Sequence, residues 1–343
     1  MSFPEWKKVL VVDLGFLGDT VHSIPAIRAL ALSGAKVDVM TTPVGAELLS
    51  LVPEVNRTWI SPLRKPSPPP WKNLGTLCSI RKEKYDAAIT FSGADRNLFC
   101  VAVSGASERL ATVSRQRWWL PVLPLTKKNP APSRTDPLFE QRLEILRKLG
   151  WSGSNPEWFW SLRTKKKSEI LSPSVYLSVS AFGSSHKEWP LHLWAETINR
   201  VLSQRPETNF IVGFADSSRE KERAQQLAEL ARTSQLHVLD SPTGLQSLAL
   251  LLQKTDLFAG LDSGVLHLAM AIGKPTVSVF RDYEGWEEWA PMGKRHAVLK
   301  RPCECHQQKQ NYCPNEPRCL AGIPACEVAE AILELLPDSP PKP

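Results

Sequence analysis

A single lysine stands directly before a predicted helix in the stretch SAFGSSHKEWP, residues 180–190. This helix is predicted to begin at Pro190, because proline is favoured at the first helical position. Lys187 would then lie near a helix N-terminus, where the helix dipole disfavours a positive charge. Either Lys187 pairs with an anion, as a ligand-binding residue would, or it is an exposed loop residue.

The stretch GLDSGVLHLAMAIGKP, residues 260–275, places polar residues at the start of another helix. Asp262 and Ser263 can cap the helix, and Gly264 lets a ligand approach its free N–H groups. His267 follows about one turn later. Capping alone explains Asp262 and packing alone explains His267. Together with the lysine motif, these residues predict a diphosphate site at a helix N-terminus.

A glycine loop with an aspartate follows the first apolar run, VLVVDLGFLGDTVH, residues 9–22. Such loops between a strand and a helix usually bind phosphate, but Asp19 would repel one. Gly15 and Gly18 also lack the third glycine of the dinucleotide fingerprint. Phosphate binding is therefore not predicted. The helix dipole is expected to hold Asp19 ionised, and its side chain can cap the helix.

Short β-rich runs alternate with helical patterns along the chain, which predicts an α/β fold with parallel sheets covered by helices. The charged stretch SLRTKKKSEILSPS separates two such regions. We therefore expect two doubly wound parallel-sheet domains facing a cleft. The predicted divisions are residues 1–165 and 170–326, with a C-terminal helix and tail at 327–343.

The predicted elements are read from apolar periodicity and turn residues. In the first half they are the strands VLVVDL, VDVMTT, RTWI and DAAITF, helices near residues 20–32, 44–51 and 137–149, and a proline-rich exposed loop at 61–71. In the second half they are the strands VYLSVS, FIVGF, HVL, LFAGL and TVSVF, helices from Pro190 and from about Ser217, and the final helix EVAEAILELL.

Charge is unevenly distributed in this chain of 343 residues, whose net charge is +7. Residues 1–168 hold 25 Lys and Arg against 14 Asp and Glu, a net +11, whereas residues 169–343 have a net charge of −4. The basic half predicts an anionic acceptor or membrane surface, and a solvated surface is the alternative. No nucleic-acid recognition element accompanies the charge, so nucleic acid is not predicted.

Seven cysteines and an N-terminus without a secretory pattern predict a cytoplasmic protein without a disulfide framework. No apolar run reaches the length of a membrane-spanning helix. Enough ligands for zinc are offered by Cys303, Cys305, Cys313, Cys319 and Cys326 with His306, although the C-x-C spacing departs from the usual paired C-x₂-C. Zinc binding and a structural role both remain open.

The motifs GFLGDTVHSIPAIRAL, KEWP and LDSGVLHLAMAIGKPTVSVF, in this order, resemble the heptosyltransferase family of glycosyltransferases, family 9. This family includes the ADP-heptose:lipopolysaccharide enzymes, and the resemblance covers most of the chain. It implies a glycosyltransferase B fold. The N-terminal domain would bind the acceptor, and the C-terminal domain would bind the nucleotide sugar.

The resemblance also implies roles for the residues singled out above. Asp19 would be the general base, a weak one because the helix dipole would hold it ionised, and Gly15 and Gly18 would belong to the acceptor-side loop. Lys187 would be a catalytic and donor-binding residue that contacts the donor phosphate. The remaining donor-binding residues would be Asp262, Ser263, Gly264 and His267.

The implied reaction is inverting transfer of a heptose or related sugar from a nucleotide-diphosphate donor to a lipopolysaccharide-type or other envelope saccharide. The resemblance implies that the donor is ADP-heptose. The acceptor would be an anionic saccharide or glycolipid, with peripheral association at the inner face of the membrane as a further expectation. No Asp-x-Asp element is present, so no catalytic metal and no cofactor are expected. A UDP- or GDP-sugar donor and a non-catalytic nucleotide-sugar-binding module are the alternatives.

Two departures from the family pattern put the donor site in question. The strand FIVGF continues as ADSSRE, which leaves Asp216 or Glu220 to replace a glutamate that contacts the donor nucleoside. The usual Phe-Gly turn after the last strand is replaced by Phe280, Arg281 and Asp282. This substitution is expected to bring a charged pair near the cleft.

Overall fold

The computed structural model describes residues 3–61, 74–113, 118–130, 135–154, 173–181, 185–303 and 318–337. The chain divides into two compact units, Met1–Trp158 and Phe159–Pro343. Each unit contains one six-stranded parallel sheet with flanking helices, which confirms the predicted α/β class. Within the described ranges, no helix has the length and apolar character needed to span a membrane.

The elements of the first unit alternate as the sequence pattern predicts. In chain order they are β1 (Lys8–Asp13), α1 (Leu17–Leu32), β2 (Lys36–Thr41), α2 (Pro43–Leu49), β3 (Val55–Ile60), α3 (Leu74–Lys82), β4 (Ala87–Thr90), α4 (Asp95–Val103), β5 (Glu108–Val113), β6 (Lys127–Pro130) and α5 (Leu138–Lys148).

The second unit repeats this alternation. Its elements are β7 (Ser174–Ser178), α6 (Leu191–Gln204), β8 (Asn209–Val212), α7 (Ser218–Ala231), β9 (Leu236–Val238), α8 (Leu245–Lys254), β10 (Leu257–Leu261), α9 (Gly264–Ala271), β11 (Thr276–Phe280), β12 (His296–Lys300), α10 (Arg318–Ala321) and α11 (Ala325–Leu335). The final helix, α11, packs against α6, and Val328 and Ile332 belong to the buried core of this unit.

Both sheets have the same doubly wound strand order. The first runs β3-β2-β1-β4-β5-β6 and the second runs β12-β11-β10-β7-β8-β9, with parallel neighbours throughout. The order of connection reverses between β1 and β4 in the first sheet and between β7 and β10 in the second. In open α/β sheets, ligands bind beyond the carboxyl ends of the strands at such a reversal.

The central strands are continuous apolar runs because helices cover both faces of a parallel sheet. All five residues of β7 and of β10 are buried, as are the last five residues of β1. Burial on both faces fixes these strands firmly. The loops that follow them are therefore anchored at a defined position.

The predicted elements differ from the observed ones mainly at their ends. The helix predicted to begin at Pro190 begins one residue later, because Pro190 has an extended ψ of 135° and precedes the first turn. Sequence patterns did not predict five of the observed elements, namely the strands β5, β6 and β12 and the helices α3 and α4. These segments are short and lack a clear apolar periodicity. Most of the proline-rich stretch and of the charged boundary lies outside the described residues, so the predicted domain divisions stay predictions.

Candidate active site

Asp19 lies in the first turn of α1, directly after the central strand β1. It occupies the third helical position and is not the cap, because Phe16 precedes the helix in the cap position. The Asp19 Oδ2 atom accepts a hydrogen bond from the Phe16 N–H at 2.9 Å. The side chain remains 27% exposed, so one edge of the carboxylate is open to a ligand.

Gly15 makes room for the side chain of Asp19. A Cβ atom at position 15 would lie 2.3 Å from the Asp19 Cβ and 2.6 Å from its Cγ, which is far closer than real contacts allow. The acidic side chain therefore folds back over the glycine loop. Gly18 is buried as the second residue of α1. The loop thus holds a carboxylate in the position where phosphate loops hold a phosphate.

We expect Gly15→Ala to lower turnover at least about tenfold, because displacing a reacting group by about 1 Å can cost as much as 10²-fold. The substitution removes no chemical group, so its effect would come from the position of Asp19. The measurement is kcat with saturating donor and acceptor. Gly75→Ala in α3 is the matched control, since a Cβ there meets nothing within 4 Å. Wild-type turnover in Gly15→Ala would show that the position of Asp19 is unimportant.

A buried arginine from α5 ties Asp19 to the end of β1. Arg142 Nη1 donates to the backbone carbonyl of Asp19 and to Ser23 Oγ, and Arg142 Nη2 lies 3.7 Å from Asp19 Oδ1. Asp13 accepts from Ser23 Oγ and from the Gly15 N–H, and lies 3.8 Å from Arg142 Nη1. Arg142 and Asp13 are each only 3% exposed. This network immobilises the loop and the first turn of α1.

The pKa of Asp19 is raised above its ordinary value of 3.8, chiefly by burial and also by the nearby Asp13 carboxylate. Arg142, the Phe16 N–H and Arg96 of α4 oppose this rise and do not cancel it. This direction is opposite to the one expected from the helix dipole alone, which favours the ionised form. Removal from water outweighs the dipole, and the carboxylate becomes more basic.

Lys187 pairs with a carboxylate, that of Asp262, as expected for a lysine near a helix N-terminus. It ends a short 3₁₀ turn, Ser185–Lys187, and its Nζ lies 2.5 Å from Asp262 Oδ2. Asp262 follows β10 and is 4% exposed, whereas Lys187 remains 26% exposed. The reversal between β7 and β10 thus brings together two motifs that are 75 residues apart. An ammonium group has three N–H bonds, so it can hold Asp262 and a ligand oxygen together.

Ser263 occupies the cap position of α9, but its side chain makes no capping hydrogen bond. Its Oγ is buried and has no hydrogen-bond partner in the described part of the chain. Gly264 is the first residue of α9, so the free N–H groups of this helix begin there. Asp262 is engaged by side chains and does not cap the helix. An unpartnered hydroxyl beside free N–H groups suits an anionic ligand.

His267 is buried one turn into α9, with its Nε2 3.8 Å from Asp262 Oδ1 and its ring 5.4 Å from that of Trp289. Burial lowers the pKa of His267 to about 4, with Lys187 contributing and Asp262 opposing. The imidazole is therefore neutral at pH 7. It therefore contributes packing against Trp289 and no positive charge.

Tyr283 of this site was missed by sequence reasoning, whereas Arg281 was expected only as one of a charged pair near the cleft. Tyr283 donates its hydroxyl to Asp262 Oδ2 at 3.0 Å, and its ring lies 5.3 Å from Lys187 Nζ. The Arg281 guanidinium stacks over the same ring at 5.6 Å, and its Nε is buried without a hydrogen-bond partner among the described residues. The sequence signal was the charged turn after β11. Nothing in it indicated that Tyr283 would bind Asp262.

The other sequence candidates have local roles. Glu220 accepts a hydrogen bond from the Ala215 N–H at 3.0 Å, and Asp216 is exposed. Asp282 pairs with Lys300 at 2.7 Å and accepts from the Cys303 N–H at 3.0 Å, so only Arg281 of the predicted charged pair lies beside Lys187 and Asp262.

Of the five cysteines and His306 considered for zinc, only Cys303, Cys319 and Cys326 belong to the described residues. Cys303 and Cys319 are buried, and burial raises the pKa of the Cys319 thiol. Cys305 and Cys313 lie outside the described residues. Zinc binding and a structural role therefore both stay predictions for this cluster.

The heptosyltransferase model of glycosyltransferase family 9 matches residues 77–318. Lipopolysaccharide heptosyltransferase 1 of Pseudomonas aeruginosa is 25% identical, over 80% of this chain and 78% of the relative. The structure of Escherichia coli heptosyltransferase WaaC with ADP-2-deoxy-2-fluoro heptose gives a TM-score of 0.75 at 21% identity, over 95% of this chain and 99% of that one. The Veillonella parvula family 9 structure gives 0.78 at 16% identity, over 98% and 99%.

These similarities show the fold and the family. Two parallel α/β sheets with flanking helices and the likeness to WaaC give the chain a glycosyltransferase B type of fold. The match to the family model covers well over half of the 343 residues. The chain is therefore a glycosyltransferase that belongs to family 9, the heptosyltransferase family.

Proposed function

We propose that this enzyme transfers a heptose from ADP-heptose to a lipopolysaccharide-type saccharide, with inversion and without a catalytic metal. The observation that carries the proposal is the assembly of Lys187, Asp262 and Ser263 at the N-terminus of α9. The WaaC relative was solved with an ADP-linked fluoroheptose, and the Pseudomonas relative is a lipopolysaccharide heptosyltransferase. The first supports the ADP-heptose donor, and the second supports the heptose and the lipopolysaccharide-type acceptor.

On the donor side, the departing diphosphate gains negative charge as the glycosidic bond breaks. Lys187 would neutralise part of that charge, and the free N–H groups at Gly264 with the Ser263 hydroxyl would bind further oxygens. Arg281 adds a second cation near Lys187, since both cationic groups lie against the ring of Tyr283. Two cations and a helix N-terminus can supply the charge stabilisation that a divalent metal supplies in other enzymes.

On the acceptor side, inversion requires a base to remove the proton of the attacking hydroxyl. Asp19 suits this role because it is partly exposed, fixed by the Phe16 N–H and more basic than an ordinary aspartate. The proton would pass to the free edge of the carboxylate as the hydroxyl oxygen attacks the anomeric carbon. The bond to the diphosphate breaks in the same step.

A thermal-shift panel of ADP, UDP, GDP and CDP tests the donor. We expect ADP to give the largest rise in melting temperature, because a ligand present at about 100 times its Kd stabilises the fold by about 2.7 kcal/mol. The panel is run in EDTA and again with Mg²⁺, and the ADP shift should persist in EDTA. Preference for UDP or GDP would replace the proposed donor. A response to none of the four would favour a family member that no longer binds nucleotide sugars.

A further inference from the structure

Several large apolar side chains of the first unit lie at the surface around one turn. Trp118 is 90% exposed, Val122 77% and Phe99 of α4 53%. Phe99 and Val122 line one surface depression of about 370 Å³ together with Trp119 and Leu123. We call these five residues the aromatic patch. Contiguous exposed apolar groups of this kind mark interaction surfaces more often than chance exposure does.

The aromatic patch is anchored to the buried core of the first unit. Leu120 is buried at 3% and packs with Leu98 and Ala111, which anchors the 3₁₀ turn Leu120–Val122 to the sheet. The ammonium group of Lys128 donates to the Leu120 carbonyl at 3.2 Å. Trp118 and Val122 flank this anchored residue. Their exposure therefore belongs to a fixed turn, which the core and β6 both support.

Positive charge surrounds the aromatic patch. Lys128 donates a hydrogen bond to the turn, and the exposed Arg96 precedes Phe99 by three residues on α4. Asp95 is acidic and also lines the depression, so the local balance is positive. The first half of the sequence as a whole has a net charge of +11. An apolar surface with basic neighbours complements an anionic surface that has an apolar interior.

We propose that the aromatic patch is the surface by which this enzyme docks on an anionic lipid bilayer. Tryptophan is favoured at the boundary between headgroups and acyl chains because its ring is apolar and its N–H is polar. Basic side chains add attraction to anionic headgroups, and the two contributions together give reversible binding. The proposal names the location of the reaction and does not depend on which nucleotide carries the donor sugar.

The same helix connects the aromatic patch with the proposed base. Arg96 is close enough to Asp19 to lower the pKa of its carboxyl, and Phe99 lies one turn further along α4. A saccharide on a lipid anchor would therefore meet Asp19 near the bilayer surface. This connection rests on the proposed function, whereas docking itself does not.

Vesicle sedimentation with the full chain tests the docking. The vesicles are pure phosphatidylcholine, or phosphatidylcholine mixed with phosphatidylglycerol, at two salt concentrations. We expect binding to the anionic vesicles, weakened by salt, and at least tenfold weaker binding for Trp118→Ser/Val122→Ser, because the double variant loses two apolar side chains that would be buried in the bilayer. The matched control is Leu32→Ser, which changes another exposed apolar residue of the same unit and should bind as wild type.

Two results would overturn the proposal: equal binding to neutral and anionic vesicles by the wild type, or wild-type binding by the double variant. A turnover assay then separates the bilayer from the acceptor. The double variant should lose turnover on a vesicle-embedded acceptor and keep it on the delipidated saccharide. Loss on the delipidated saccharide would place the aromatic patch in the saccharide site and also overturn the proposal. Sedimentation needs no donor, so a wrong donor assignment leaves this test unaffected.

Discussion

Asp19→Asn is expected to lower turnover by about 10²-fold or more while donor affinity and the melting temperature hold, because asparagine cannot accept the proton of the acceptor hydroxyl. Asparagine keeps an oxygen that can accept the Phe16 N–H, so the local geometry survives. It also keeps the buried network intact, since Arg142 binds the Asp19 backbone carbonyl and Asp13. The measurement is kcat with the true donor and acceptor.

The sign of the pKa shift makes the same prediction testable by pH. The folded-state pKa of Asp19 lies above 3.8, so the stability linked to this group is fully present below pH 3.8 and is lost as pH rises through the folded value. The substitution Asp19→Asn removes that loss, and the variant should melt at or slightly above the wild-type temperature at pH 7. In the wild type, kcat/KM should fall with acidification through a midpoint above 3.8, as the base becomes protonated.

Asp13→Asn is the matched control for the chemistry of Asp19. It alters a carboxylate of the same network that is only 3% exposed and cannot reach a ligand. It should shift the acid midpoint downward, because Asp13 raises the pKa of Asp19. Turnover of Asp19→Asn within a few-fold of wild type would reduce Asp19 to a residue that closes the loop before α1, and the proposed mechanism would fail.

Lys187→Met is expected to lower turnover by about 10²–10³-fold, because it removes a preorganised positive charge from the leaving diphosphate. Its affinity for ADP should also fall, by an amount consistent with about 1.5–3 kcal/mol for one charged hydrogen bond. Isothermal titration with ADP and steady-state kinetics measure the two effects separately. Unchanged affinity together with unchanged turnover would show that Lys187 does not contact the diphosphate.

The pairing with Asp262 requires a second variant. Removing Lys187 leaves a carboxylate that is 4% exposed without its cation, although Tyr283 still donates to it. Lys187→Met is therefore expected to lose some stability as well, since an unpaired buried charge is costly. The double variant Lys187→Met/Asp262→Asn should recover the melting temperature and not the turnover. Recovery of both would make Lys187 a structural partner of Asp262 only.

The residues proposed for the Asp19 loop and for the N-terminus of α9 can be singled out from the sequence, because the backbone features around them have local signatures. A glycine that admits the side chain of Asp19 and a cap followed by glycine before α9 are encoded within a few positions. The lysine before Trp-Pro was recognised in the same way. Only its partner was left open, since no local pattern connects Lys187 with Asp262.

The sequence by itself determined the alternating α/β order, the division of charge and the positions of the motifs, since these depend on local periodicity and residue type. The tertiary structure decided which motifs meet. Strand order placed Asp262 beside Lys187, and the packing of α5 brought Arg142 to Asp19 across 123 residues. Burial then reversed the expected effect of the helix dipole on Asp19. Desolvation depends on the surrounding packed side chains, which come from distant parts of the chain and have no signature near residue 19.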